Sequence, residues 1–248
     1  MGPKTWLAYS LLLCCLAYPA RGAGIQLLET PTLAGAIWYP CAAKPQSVPL
    51  GSLAVPFDSF DGVKDCPVAG AKLPLVVFSH GRSGSFGLHH DTAEALADAG
   101  FVVAAINHPG DNGNDSSQSE TLSNWASRPA DMIHLIDFML KDWKDRDAID
   151  SSKIGFFGFS KGGYTGLVLA GATLDFQRTA SYCKNSSSFC EQVRSGDVPK
   201  NLPRDTRIKA AVIADPALTV AFTKSTLSPI DIPLQVWRSE SGAKDRGR

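Results

Sequence analysis

The chain has 248 residues, enough for one α/β domain with a sizeable core. Hydrophobic content of 44% and charged content of 19% are ordinary for a globular protein. The formal net charge is zero, so nothing points to nucleic acid or an anionic membrane surface as partner.

The first 22 residues read as a cleavable export signal. Lys4 supplies a short positive region, Trp6 to Ala20 is apolar apart from Ser10, and Ala20-Arg21-Gly22 sets small residues before a cleavage point at Ala23. The apolar run is shorter than the roughly 20 residues a bilayer span needs, so no stable membrane anchor is expected. Leu13 before Cys14 and Cys15 is not the small residue that lipidation wants. Removing residues 1–22 takes away Lys4 and Arg21 and no acid, leaving 22 basic against 24 acidic residues. Four cysteines then remain, Cys41, Cys66, Cys183 and Cys190, and an even count in an exported chain reads as disulfides with three possible connectivities. Local pairing, Cys41 with Cys66 and Cys183 with Cys190, is the expected one. No histidine lies near either pair, which argues against a metal site.

Residues 23–248 read as a single domain. Ile25–Glu29 and Ala36–Tyr39 look like two short antiparallel strands. Pro40 to Leu73 is rich in Pro, Gly, Ser and Asp and reads as a long loop. Pro74–Ser79 is a nearly continuous run of the kind found in strands buried on both faces. It ends in the glycine-rich His80-Gly81-Arg82-Ser83-Gly84-Ser85. A helix from Asp91 to Ala99 closes at Gly100. Phe101–Asn107 is the next buried strand, and His108 to Asn114 is loop. The spacing of Met132, Leu135, Ile136, Met139 and Leu140 predicts a helix over Pro129–Trp143 with Pro129 in its first turn. Lys153–Phe159 is a strand and Lys161–Ala172 a helix. Leu174 to Arg207 is an irregular insertion (a possible lid over the site). Ile208–Ala214 and Leu234–Trp237 are the last strands. There are no internal repeats. Asn114-Asp-Ser and Asn185-Ser-Ser match the glycosylation acceptor pattern.

Strands alternating with helices imply right-handed crossovers and a mainly parallel sheet covered on both faces. Sites in such sheets lie at the C-terminal strand ends. That edge collects His80 to Ser85, His108, Ser160 and Asp215. Gly158-Phe159-Ser160-Lys161-Gly162 is a Gly-x-Ser-x-Gly turn between a strand and a helix, the nucleophile elbow. It would hold Ser160 Oγ exposed at the sheet edge.

Together with Phe78-Ser79-His80-Gly81, Asn107-His108-Pro109-Gly110 and Ala214-Asp215-Pro216, this motif resembles the predicted dienelactone hydrolases. These are serine esterases related to platelet-activating-factor acetylhydrolases, and the resemblance covers roughly Ile25 to Trp237. It implies an α/β-hydrolase fold and hydrolysis of a small carboxylic ester without a cofactor or metal. Dienelactone hydrolases proper use a cysteine nucleophile, so the serine elbow here points to the acetylhydrolase side. Ser160 is then the nucleophile, and Asp215 is the triad acid in place of a mere turn aspartate. The oxyanion hole takes the backbone N–H of Lys161 and of Arg82. Only backbone is needed at those two positions, so their side chains are expected to be free to vary. His80 shapes the oxyanion loop.

The base is the difficulty. The resemblance implies the order Ser, Asp, His, yet His80, His89, His90, His108 and His134 all precede Asp215. Three readings stand. The sequence lacks a C-terminal strand, a histidine-bearing loop and a helix; or the protein is complete and non-catalytic; or His108, or else His89 or His90, substitutes. Fold completeness favours the first, because a sheet ending at Trp237 leaves an open edge and a bare face. Against His108, the strand before it is expected to be separated from the Ser160 strand by the one ending at Ser79. The same triad serves amides and peptides, so ester and amide hydrolysis are not separated.

Overall fold

The computed structural model of the protein describes residues 22–53 and 56–240; the expected export signal, apart from Gly22, lies outside them. Nine strands form one sheet in the order β3-β4-β1-β2-β6-β5-β7-β8-β9. They are β1 (Gly22–Glu29), β2 (Ala34–Cys41), β3 (Gln46–Pro49), β4 (Ser59–Lys64), β5 (Leu73–Ser79), β6 (Val102–Ile106), β7 (Ile149–Phe159), β8 (Ile208–Ala214) and β9 (Leu234–Trp237). From β6 to β9 every neighbouring pair is parallel, while β1–β2, β2–β6 and β3–β4 are antiparallel.

The parallel strands carry apolar side chains on both faces, which is why they read as continuous runs. Leu75, Val77, Val102, Ala104 and Ile106 face one core. It is completed by Met132, Leu135, Ile136 and Met139 of α2 (Leu122–Lys141) and by Leu167 and Leu169 of α3 (Lys161–Leu169). Phe78, Val103 and Ala105 point the other way, with Trp38 and Phe86, onto Ala93 and Ala97 of α1 (His90–Asp98). Gly100 follows α1 at φ 96°, a left-handed conformation that a side chain would strain.

Three expectations are corrected. Pro40 to Leu73 is not all loop, because it holds β3 and β4. β3 is a short edge strand and β4 lies between it and β1; only Val48, Phe60 and Gly62 are buried in the two, too few to show a period. The α2 helix starts seven residues before Pro129, at a cap where Thr121 Oγ1 accepts from Asn124 N at 3.2 Å. Pro129 has no N–H for the carbonyl of Trp125 one turn back. The Tyr164 hydroxyl of α3 donates to that carbonyl at 3.2 Å, so the helix continues without an orphaned acceptor. Finally, the insertion over 174–207 contains two helices, α4 (Phe176–Tyr182) and α5 (Ser188–Ser195).

Disulfides join Cys41 to Cys66 and Cys183 to Cys190, with Cα separations of 6.4 and 5.3 Å. The first staples β2 to the end of β4; the second ties α4 to α5. Among the described residues no helix is long and apolar enough to cross a membrane. The last helix, α6 (Lys224–Leu227), is a single turn before β9.

On the α1 side of the sheet, Val76, Phe78, Phe157 and Val212 floor a groove of about 560 Å³ walled by Leu96 and Phe101. No described helix lies over it, and on the neighbouring edge strand Val236 and Trp237 are each 59% exposed. An uncovered apolar surface of this kind takes up apolar ligands or drives association. The folded chain is therefore expected to enhance the fluorescence of anilinonaphthalene sulfonate. Replacing Leu96 with Gln and Val212 with Thr should reduce that signal without unfolding the protein, as followed by far-ultraviolet circular dichroism.

Candidate active site

The elbow is set by backbone crowding. A Cβ on Gly158 would come within 2.2 Å of the Gly162 carbonyl oxygen, and one on Gly162 within 1.8 Å of the Ser79 carbonyl oxygen. Glycine at both positions lets β7 turn sharply into α3 beside the end of β5. Ser160, between them, has φ 54° and ψ −112°, a conformation that L-residues avoid. Its N–H donates to the Ala214 carbonyl at 2.9 Å, and its carbonyl accepts from Ala217 N at 2.8 Å and Tyr164 N at 3.1 Å. The strained residue is thus pinned to the end of β8 and to the first turn of α3. Its side chain is half-buried and reaches the surface.

The His80–Ser85 loop runs alongside. A Cβ on Gly81 would lie 3.4 Å from Ser160 Cβ, so this backbone flanks the serine. Asp215 sits just past β8 at φ 43°, its N–H donating to the Trp237 carbonyl at 2.9 Å and its Oδ1 accepting from Ser239 N at 2.7 Å. Pro216 packs against Gly163 of α3. Ser160, the Gly81 loop and Asp215 therefore meet at one end of the sheet.

Behind them lies a buried polar network. Arg128 and Asp111 are fully buried and Lys161 is 1% exposed. Asp111 Oδ2 accepts from Arg128 Nη1 at 2.7 Å and pairs with Lys161 Nζ at 2.8 Å, while Oδ1 accepts from Ser83 N at 2.7 Å. Lys161 Nζ also donates to Asn124 Oδ1 at 2.6 Å and the Ser119 carbonyl at 2.9 Å, and lies over the Trp125 ring. Burial pulls the ammonium down to about 8 against the attraction of Asp111. The expectation that the side chain after the nucleophile is free to vary is overturned for Lys161. At Arg82, exposed and paired with Glu120, the side chain is unconstrained by burial.

The histidines are placed as follows. His80 Nε2 accepts from His108 N at 3.2 Å, which leaves the ring proton on Nδ1, 2.6 Å from the Gly81 carbonyl. His80 is buried, and burial together with Arg128 lowers its pKa to about 3. His108 is fully buried with both ring nitrogens engaged, Nε2 with Ser79 Oγ at 2.9 Å and Nδ1 with Asp131 Oδ2 at 2.9 Å. Arg128 Nη2 donates to Ser79 Oγ at 3.3 Å, leaving the serine hydrogen for Nε2 and the ring proton for Asp131. Burial holds His108 well below its usual range and lifts Asp131 to about 7. Ser79–His108–Asp131 has the connectivity of a catalytic triad, but Ser79 is 1% exposed and no substrate reaches it. His90 bonds Glu94 at 3.0 Å, His89 packs on Phe157 and Phe159, and His134 is exposed on α2. Among the described residues no histidine hydrogen-bonds Ser160. As expected, β5 separates the strand before His108 from β7.

Sequence reasoning missed Ser79, Asp111, Asn124, Arg128 and Asp131. One signal was available: Asn124, Arg128 and Asp131 fall at i, i+4 and i+7 beside an apolar stripe, polar residues on the buried flank of a helix.

A family model described as serine aminopeptidase, S33, matches residues 71–183, which run from the start of β5 to the end of α4. The structure is similar to that of a ferulic acid esterase from Streptomyces cinnamoneus, with a TM-score of 0.57 and 17% identity over 94% of this chain and 70% of that one. The fold is that of the α/β-hydrolases. No curated protein sequence matches the chain. Neither match singles out the dienelactone hydrolases. Among the described residues no cluster of side chains is arranged to hold a metal ion.

Two outcomes are expected. Gly162→Ala should destabilise the fold by about 3 kcal/mol or more in urea unfolding, because a carbon cannot coexist with the Ser79 carbonyl. The second concerns acid. His80 stays neutral in the folded chain down to about pH 3 but is protonated below about 6.5 when unfolded, so its contribution to stability is lost as pH falls between those values. His108 acts in the same sense; Asp131, protonated in the fold up to about 7, acts in the opposite one. His80→Gln, which keeps an acceptor toward His108 N, should therefore flatten the dependence of unfolding free energy on pH between 4 and 6 by about one proton.

Proposed function

We propose that the chain is a serine hydrolase acting on a small or short-acyl carboxylic ester. Ser160 Oγ attacks the acyl carbon, the alcohol leaves with a proton, and water then cleaves the acyl-serine. Developing negative charge on the carbonyl oxygen is met by the backbone N–H groups of Lys161 and Arg82. Asp215 orients the base. The observation that carries this reading is the left-handed, backbone-pinned Ser160 lying beside Gly81 at the exposed sheet edge.

No histidine follows Asp215 in these 248 residues and, among the described residues, none hydrogen-bonds Ser160, so the base is left unassigned. In its absence activity should be weak, on the order of the 10³–10⁴-fold over water that an oxyanion hole and binding sustain alone. The second reading is a binding protein that keeps the pocket without turnover; its support is that, among the described residues, no histidine hydrogen-bonds Ser160. The family model's description as an aminopeptidase keeps amide substrates as the alternative within the enzyme class. Export is part of the proposal, supported by the apolar N-terminal segment and the two disulfides. The pair α4–α5, which reaches Trp125 through Phe189, is the proposed lid.

Incubation with a fluorophosphonate, followed by peptide mass spectrometry, tests the reading. A phosphonyl adduct is expected on Ser160, abolished by Ser160→Ala, with Ser79 unmodified. No adduct on Ser160 and no turnover of p-nitrophenyl acetate would remove the enzyme reading for this chain.

A further inference from the structure

We propose that Asp111 is a positioning residue that clasps the two halves of the oxyanion hole together; the catalytic part of this rests on the serine-hydrolase reading above. The two donors come from separate pieces of backbone. Lys161 belongs to the elbow after β7, and Arg82 to the loop after β5. The approach of Gly162 to the Ser79 carbonyl brings the two pieces together, but it acts three residues before Arg82.

Asp111 belongs to neither piece; it lies in the loop after β6. Its carboxylate nevertheless holds both. Oδ1 accepts from the N–H of Ser83, the residue after Arg82, at 2.7 Å. Oδ2 lies 2.8 Å from Nζ of Lys161, the residue after Ser160. Arg128 completes the arrangement, donating from Nη1 to the same Oδ2 at 2.7 Å and from Nη2 to the His80 carbonyl. The loop is further held by Gly113 N donating to the Gly84 carbonyl at 2.7 Å. All three charged groups are buried, so these contacts are not exchanged for water and their geometry is stiff. One carboxylate between two cations also sets their spacing, since either cation left unpaired in this interior would be strongly disfavoured. The oxyanion hole is therefore built across three strand ends, β7, β5 and β6, with Asp111 as the shared point. Ser83 has φ 51°, a strained conformation that the Asp111 bond helps to hold.

The test uses the full chain and two variants. Asp111→Asn leaves Ser83 only a weaker, neutral acceptor and removes the charge that holds Lys161. Lys161→Met keeps its backbone N–H and the Asp111–Arg128 pair, cutting the tether to the elbow together with the Lys161 bonds to Asn124 and Ser119. It is the variant to rely on if Asp111→Asn does not fold. Amide hydrogen exchange at Ser83, Gly84, Ser160 and Tyr164 is compared with exchange in α1. Fluorophosphonate labelling is resolved into its maximal rate and half-saturating concentration. Asp111→Asn should speed exchange at all four amides by at least about tenfold with α1 unchanged, and lower the maximal labelling rate tenfold or more without shifting half-saturation. Lys161→Met should loosen Ser160 and Tyr164 alone and also slow labelling. Exchange and labelling rates equal to wild type in the folded variants would overturn the proposal, as would loosening spread evenly over α1. If wild-type Ser160 takes no label, the serine-hydrolase reading fails, and the clasp stands or falls on the exchange pattern.

Discussion

The tightest constraint in the molecule is a meeting of two backbones. Gly162, in the first turn of α3, lies so close to the Ser79 carbonyl that no carbon fits between them. Everything at the sheet edge follows from that approach. It fixes how sharply β7 turns, and so the left-handed conformation of Ser160. It also brings the loop after β5 alongside the serine. Strain at Ser160 persists because hydrogen bonds to Ala214, Ala217 and Tyr164 over-determine its position.

Beneath this edge the protein buries charge. Asp111, Arg128, Lys161 and Asp131 share a region with the neutral rings of His80 and His108. Such clusters contribute little net stability, because desolvation offsets most of the attraction. Their effect is directional: each group has few acceptable geometries, so the backbone pieces attached to them do too. Ser79, His108 and Asp131 show the same point from the other side. A serine, an imidazole and a carboxylate can be linked as in a hydrolase and still serve only to hold a loop, when no solvent reaches the hydroxyl.

The strands from β5 to β8 were legible in the sequence because burial on both faces turns each into a continuous apolar run. The elbow turn and the place of Asp215 just past β8 were legible because turn and strand-end chemistry is local. The short strands β3 and β4 were not, since a strand with one or two inward residues leaves no period to read. The first two turns of α2 were hidden by Pro129 and by Asn124 and Arg128, which look like loop or surface residues until the sheet edge they line is in place. Asp111 could not be found locally at all. Its partners lie on segments 28 residues before it, 17 after it and 50 after it, brought together only by the order of the strands.

Pro129 gives the helix pair a meaning beyond its own turn. In an unbroken α2 the carbonyl of Trp125 would be spent within the helix. Freed by proline, it becomes an acceptor that a donor reaching across can satisfy, and Tyr164 reaches it from α3, one turn beyond Ser160. The residue that interrupts one helix thereby acts as a docking mark for the next, and sets α3 in rotation and height against α2. The registry of the elbow is in this sense written partly into a helix that begins some forty residues earlier.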